Sequence, residues 1–94
     1  MNEEEAPFEL VLTPPAVRAI QQALPEAVAT AVLEFATGAL VRNPRRVGTP
    51  LRGELAGIYS ARRGTYRVLY RINDADHDVV VLRIEHRRDA YRAR

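Results

Sequence analysis

Hydrophobic and polar positions change rhythm several times along this chain. Phe8-Glu9-Leu10-Val11-Leu12-Thr13 is a short apolar run with partial alternation, held between Pro7 and Pro14, and it predicts a strand. Thr13 has the side-chain oxygen of an N-cap, and Pro14 suits the first helical position, where an N–H would have no partner anyway. Val17, Ile20 and Leu24 follow at helical spacing, and Pro25 closes that helix or opens the next. The second helix is the longer one. Val28, Val32, Phe35 and Ala39 form one stripe with Ala29, Leu33, Ala36 and Leu40 beside it, wide enough to cover a sheet and a neighbouring helix. These residues read as core.

Between Arg42 and Gly57 the periodicity stops. Asn43-Pro44, Gly48, Pro50, Gly53 and Gly57 punctuate a loop that carries Arg42, Arg45, Arg46 and Arg52, either a solvated basic loop or a phosphate contact. Three strands follow at about 58–63, 66–73 and 78–86, with breaks at Gly64-Thr65 and around Asp74 to His77. The predicted fold class is α+β. An N-terminal strand, a two-helix hairpin and a three-stranded antiparallel meander give a mostly antiparallel sheet with the helices on one face.

Strand register can be tested by hydrophobicity, because opposed residues in a hairpin project to the same face. With Gly64-Thr65 as a two-residue turn, Arg62 lies opposite Arg67, Ala61 opposite Val68, Ser60 opposite Leu69 and Tyr59 opposite Tyr70. For the second hairpin, strict alternation groups Val68, Tyr70 and Ile72 with Val80, Leu82 and Ile84. That choice puts Arg67 opposite Arg83, with Arg87 in phase. The face away from the helices then gathers Arg62, Arg67, Arg83 and Arg87, where like charges repel unless an anion or a carboxylate such as Glu85 or Glu54 compensates.

Composition narrows the function classes. The 94 residues support one domain, residues 1–94, with 1–6, including Glu3-Glu4-Glu5, expected to be a disordered tail. A 47% hydrophobic, 28% charged chain is expected to fold. The absence of cysteine removes disulfides and thiolate chemistry, and His77 and His86 lack ligand spacing, so no metal site is expected. No apolar run reaches the ~20 residues of a membrane span, and the acidic start is unlike a signal peptide, so a cytoplasmic location with no membrane partner is expected. Residues 1–41 carry one Arg against six Glu, and residues 42–94 carry thirteen Arg against six acids. That asymmetry points to a polyanion, and the all-arginine usage supplies planar donor forks suited to phosphate.

Two runs carry a resemblance to a known family. Leu51-Arg52-Gly53-Glu54-Leu55-Ala56-Gly57-Ile58-Tyr59-Ser60-Ala61-Arg62-Arg63-Gly64-Thr65-Tyr66-Arg67-Val68-Leu69-Tyr70 resembles the central segment of RelE-family toxins, and Ile84-Glu85-His86-Arg87-Arg88-Asp89-Ala90-Tyr91 resembles their C-terminal ending. The resemblance implies a microbial-ribonuclease-like toxin of a type II toxin-antitoxin pair. Such a toxin enters the A site of the 70S ribosome and cuts mRNA by attack of the nucleotide's own 2′-hydroxyl, with no metal or other cofactor. It also implies a RelB-like antitoxin as partner, and contact with operator DNA only through the toxin-antitoxin complex.

Carried over residue by residue, the resemblance gives Arg67 the phosphate-stabilising role and Arg87 that of the C-terminal catalytic arginine. Tyr91 takes the place of a tyrosine that stacks on the base or assists proton transfer. Arg62 and Ser60 stand where some members carry catalytic lysines, which is a departure from the pattern. Arg45, Arg46, Arg52, Arg63, Arg83 and Arg88, with Ser60, are the expected RNA or ribosome contacts. Arginine is a poor base, so His86, Tyr91 and Glu85 remain as proton acceptors, although alternation puts His86 on the apolar side. Two alternatives stay open: a ParE-like toxin that inhibits DNA gyrase by binding, and an inactive co-repressor that binds operator DNA with its antitoxin.

Overall fold

The computed structural model describes residues 6–86. Strand β1 (Glu9–Leu12) leads into α1 (Pro14–Arg18), which continues as a wider π-type turn over Ala19–Ala23. Helix α2 (Glu26–Phe35) continues in the same way over Ala36–Leu40. A short helix α3 (Pro44–Val47), strand β2 (Thr49–Pro50) and a 3-10 turn (Gly53–Leu55) precede β3 (Tyr59–Arg63), β4 (Tyr66–Asn73) and β5 (Asp78–His86). The five strands form one sheet in the order β1-β5-β4-β3-β2.

The α+β class and the meander are as expected, but the sheet is mixed. β1 pairs with β5 in parallel, Glu9 opposite Asp78 and Leu12 opposite Val81, whereas β2, β3, β4 and β5 pair antiparallel in turn. The chain leaves β1 through the helical hairpin, a long crossover of the kind a parallel pair requires. The stretch 42–57 is likewise more than loop. Pro44 opens α3 at a position that needs no N–H, and Pro50 sits on the edge strand β2, where proline is tolerated.

Local chemistry fixes the helix entry. The Thr13 side chain accepts from the Ala16 N–H at 3.4 Å and donates to the Leu82 carbonyl at 2.8 Å, so one hydroxyl caps α1 and ties it to β5. The β3–β4 turn follows the predicted register, with Gly64 at φ 57°, the left-handed conformation of the first central residue in a type II′ turn.

Both helices cover one sheet face. Ala16, Val32, Ala36 and Leu40 pack on Ala61, Val68, Tyr70, Val79, Val81 and Ile84. Leu33 and Ala39, expected on the core stripe, are exposed, which leaves a narrower contact centred on Val32 and Ala36. Tyr70 is fully buried, stacks on Tyr59 with ring centroids 5.5 Å apart, and donates its hydroxyl to the Pro44 carbonyl at 2.6 Å. A Cβ on Gly48 would lie 2.2 Å from that hydroxyl oxygen, so glycine is required for the chain to pass over Tyr70. Burial pushes the Tyr70 pKa up to about 12.

The second hairpin departs from the predicted register. β4 and β5 pair as Arg67 with Glu85, Val68 with Ile84 and Leu69 with Arg83, then shift so that Tyr70 faces Val81. Leu82 is therefore an extra residue, a β-bulge, at the point where its carbonyl accepts from Thr13. Val79, Val81 and Ile84 turn inward in place of the expected Val80, Leu82 and Ile84. Val79-Val80-Val81-Leu82 is apolar in either phase, so alternation does not choose between them.

Candidate nucleic-acid interface

The bulge re-sorts the charges on the face away from the helices. Arg62 and Arg67 are directly opposed on β3 and β4, as the register predicts. Arg67 faces Glu85 and not Arg83, which corrects the expected pair. The Oε1 atom of Glu85 accepts from Arg67 Nε at 3.1 Å and also from Arg67 Nη2, while its Oε2 lies 3.8 Å from Arg83 Nη2. A guanidinium has five N–H donors, so with two engaged by Glu85 three on Arg67 have no partner among the described residues. The arrangement is an arginine cluster held around one carboxylate, with donors left over for an anion.

Ser60 lies on the same face, paired with Leu69 on one side and Thr49 on the other, and Arg83 lies one position further along opposite Leu69. Arg71, which sequence reasoning passed over, shares the face opposite Val80 and is exposed. The alternation Arg67-Leu69-Arg71 within one strand is the signal that could have found it.

Other expected contacts stand elsewhere. Arg63 is turned to the helix side, its guanidinium 4.6 Å above the Phe35 ring and donating to the Val47 and Arg62 carbonyls. His86 pairs with Tyr66, whose hydroxyl donates to the Ala31 carbonyl of α2, so His86 belongs to the helix side of β5. Arg52 is exposed beside the 3-10 turn. Arg87, Arg88 and Tyr91, together with Glu3-Glu4-Glu5, lie outside the described residues.

Arg45 and Arg46 sit at the other end of the sheet. They line an open cleft of about 430 Å³ with Phe8, Arg42, Asn43, Pro44, Asp74 and His77. Arg45 and Asp74 form a two-armed exposed ion pair at 2.6 and 3.2 Å, which raises the Arg45 pKa and lowers that of Asp74. His77, in the turn before β5, is exposed but stacks on Phe8 at 4.0 Å and contacts the Ala6 carbonyl at 2.9 Å. Arg67 and Asn73 lie six positions apart on β4, roughly 20 Å along a strand, so the cleft and the centre of the arginine face are distinct. Among the described residues no group of His, Asp or Glu is placed to hold a metal ion, and no helix is long and apolar enough to cross a membrane.

Comparison with known proteins agrees with this fold. The family described as ParE toxin of type II toxin-antitoxin system, parDE, matches residues 10–91. Toxin RelG of Mycobacterium tuberculosis is 55% identical over 92% of this chain and 98% of its own length. Toxin RelE of the same organism is 45% identical over 95% and 91%. The crystal structure of the toxin-antitoxin complex RelBE2, also from M. tuberculosis, superposes with a TM-score of 0.83 at 54% identity, covering 87% of this chain and all of that one. Free E. coli toxin RelE, in a mutant form, shares the fold at 18% identity, with a TM-score of 0.72 over 92% of this chain and 90% of that one. With its fold, its two family segments and these relatives in agreement, the chain belongs to the RelE/ParE family of type II toxin-antitoxin toxins.

Proposed function

We propose that the chain is a ribosome-dependent mRNA endoribonuclease that halts translation by cutting in the A site through 2′-hydroxyl attack. The observation that carries this reading is the open face on which Arg67 stands between Arg62 and Glu85, with Arg83 and Arg71 beside them. A cluster of fixed guanidinium donors binds phosphate in the ground state. It binds the extra negative charge of a pentacoordinate transition state more tightly, and that difference is what accelerates a reaction. The ribosome supplies the ordered mRNA, so the protein contributes charge and orientation. Arg87 and Tyr91 complete the set by family resemblance. The relatives found in complex with RelB antitoxins support a RelB-like partner here, with operator DNA reached only through that complex.

Primer extension on mRNA held in 70S ribosomes tests the reading, comparing wild type with Arg67→Ala and Arg87→Ala and using free RNA as control. A-site cuts suppressed at least about tenfold by both substitutions are expected, on the order of 1.4 kcal/mol of transition-state stabilisation. Intact mRNA with folded wild-type protein sinks it. The weight then passes to a second reading, inhibition of DNA gyrase, which the match to a family described by the ParE name favours. A gyrase supercoiling assay decides that case.

A further inference from the structure

We infer that Glu85 is the general base, the group that takes the proton from the attacking 2′-hydroxyl; this rests on the nuclease reading above. A 2′-hydroxyl needs a proton acceptor beside the phosphate it attacks. Arginine cannot serve, because guanidinium stays protonated in proteins. On the arginine face of β3, β4 and β5, the described side chains other than Glu85 are arginines, Ser60, aliphatic residues and, at the far end of the hairpin, Asn73 and Asp78. His86 belongs to the opposite side of β5, and Asp78 pairs with Asn73 at the far end of the hairpin. Glu54 stands in the exposed 3-10 turn. Among the described residues Glu85 is thus the carboxylate in contact with the arginine cluster.

Its two oxygens are differently placed. Oε1 is held by Nε and Nη2 of Arg67, which fixes the carboxylate against the guanidinium. Oε2 has no hydrogen bond among the described residues, and Arg83 Nη2 lies 3.8 Å from it. Among the described residues Arg67 keeps three unpartnered donors to bind a phosphate oxygen, which brings phosphate and carboxylate to one guanidinium. The 2′-hydroxyl is the neighbour of that phosphate, so its proton falls within reach of Oε2. As the proton passes to Oε2, O2′ forms a bond to phosphorus and the P–O5′ bond breaks. The electron pair goes to O5′, which takes a proton from water, and the Glu85 carboxylic acid then gives its proton to the resulting hydroxide. The products are a 2′,3′-cyclic phosphate and a 5′-hydroxyl end.

Because Glu85 also neutralises arginines, removing its charge acts in opposite directions on chemistry and on binding. Single-turnover cleavage on programmed 70S ribosomes is measured for wild type, Glu85→Gln and Glu85→Ala, each checked by thermal melting. Affinity is measured with mRNA carrying a 2′-deoxynucleotide in the A site, which cannot be cut. Glu85→Gln is expected to cut about 100-fold or more slowly while binding the uncleavable mRNA as tightly as wild type or tighter. Glu85→Ala is expected to regain activity with added formate or acetate, faster with the more basic of the two.

Three results overturn the assignment while leaving the nuclease reading intact. One is Glu85→Gln cutting within about threefold of wild type. Another is a rate loss matched by lost mRNA affinity, which makes the residue a support for Arg67. The third is rescue indifferent to the basicity of the added carboxylate, which makes it a counter-ion. Wild type that leaves the mRNA whole overturns the nuclease reading itself, and the base assignment with it.

Discussion

Glu85 is the direct cross-strand partner of Arg67, and a single one of its oxygens receives two of that guanidinium's N–H groups. The Arg67 side chain keeps 40% of its surface exposed and Glu85 23%, so the pair is screened by solvent. Its contribution to folding is accordingly small, within the ~0.2–1 kcal/mol of partly exposed ion pairs. A double-mutant cycle with Arg67→Ala and Glu85→Gln, read by urea unfolding, is expected to give a coupling below about 1 kcal/mol. A larger coupling would make the pair structural. Arg67→Lys is expected to leave stability unchanged and still lose most of the cleavage rate, because an ammonium keeps the charge but lacks the planar fork.

The orientation of each arginine predicts who binds RNA. Arg62 and Arg71 project to the open face, whereas Arg63 is committed to Phe35 and the Val47 carbonyl. Binding of uncleavable single-stranded RNA should therefore weaken in Arg62→Ala and Arg71→Ala, each lowering the salt slope by about 0.7 as one phosphate contact is lost. Arg63→Ala should leave that slope alone and instead lower stability by roughly 0.5–1 kcal/mol through the lost cation–π contact. Fluorescence anisotropy over a salt series separates the two classes, and an unchanged slope for both Arg62 and Arg71 would remove the face from the RNA contact.

The arginine face was legible in sequence only in part, and the reason lies in one residue. The Gly64-Thr65 turn fixes the first hairpin because a two-residue loop permits a single register, so Arg62 opposite Arg67 can be read directly. The second hairpin closes through the longer turn Asp74 to His77 and carries the Leu82 bulge inside an unbroken apolar run, where hydrophobicity is the same in either phase. Alternation therefore carried Arg83 to the place that Glu85 occupies. The parallel pairing of β1 with β5 was out of reach for a related reason: a four-residue strand says nothing about which edge receives it. Thr13 and Pro14 were legible because capping is local chemistry.

Thr13 has a second partner that its local sequence does not announce. Its hydroxyl caps α1 and also satisfies the carbonyl of the bulged Leu82. Thr13→Ala should cost about 1–2 kcal/mol, at the upper end for a lost cap, because an acceptor on β5 is left without its donor. Thr13→Ser keeps the oxygen and should recover most of that loss. Chemical denaturation of the two variants checks the order, and equal stabilities would mean that the threonine methyl matters more than the hydroxyl.

Tyr70 gives the fold an alkaline limit. Burial, the larger cause, and the neighbouring Tyr59 raise its pKa to about 12, whereas an unfolded tyrosine titrates near ~10. The folded pKa lies above the unfolded one, so the native state holds the proton more tightly and the associated stability is complete below about pH 10. It is lost progressively as pH rises from about 10 to about 12, by an amount on the order of 2–3 kcal/mol. Tyr70→Phe removes that titration, and also leaves the buried Pro44 carbonyl without its donor, at a cost of about 1–3 kcal/mol. The variant should therefore be less stable than wild type at neutral pH and lose less stability between pH 9 and pH 11, so that the two curves converge. Thermal melts across that range measure the convergence, and parallel curves would show that the alkaline limit belongs to another group.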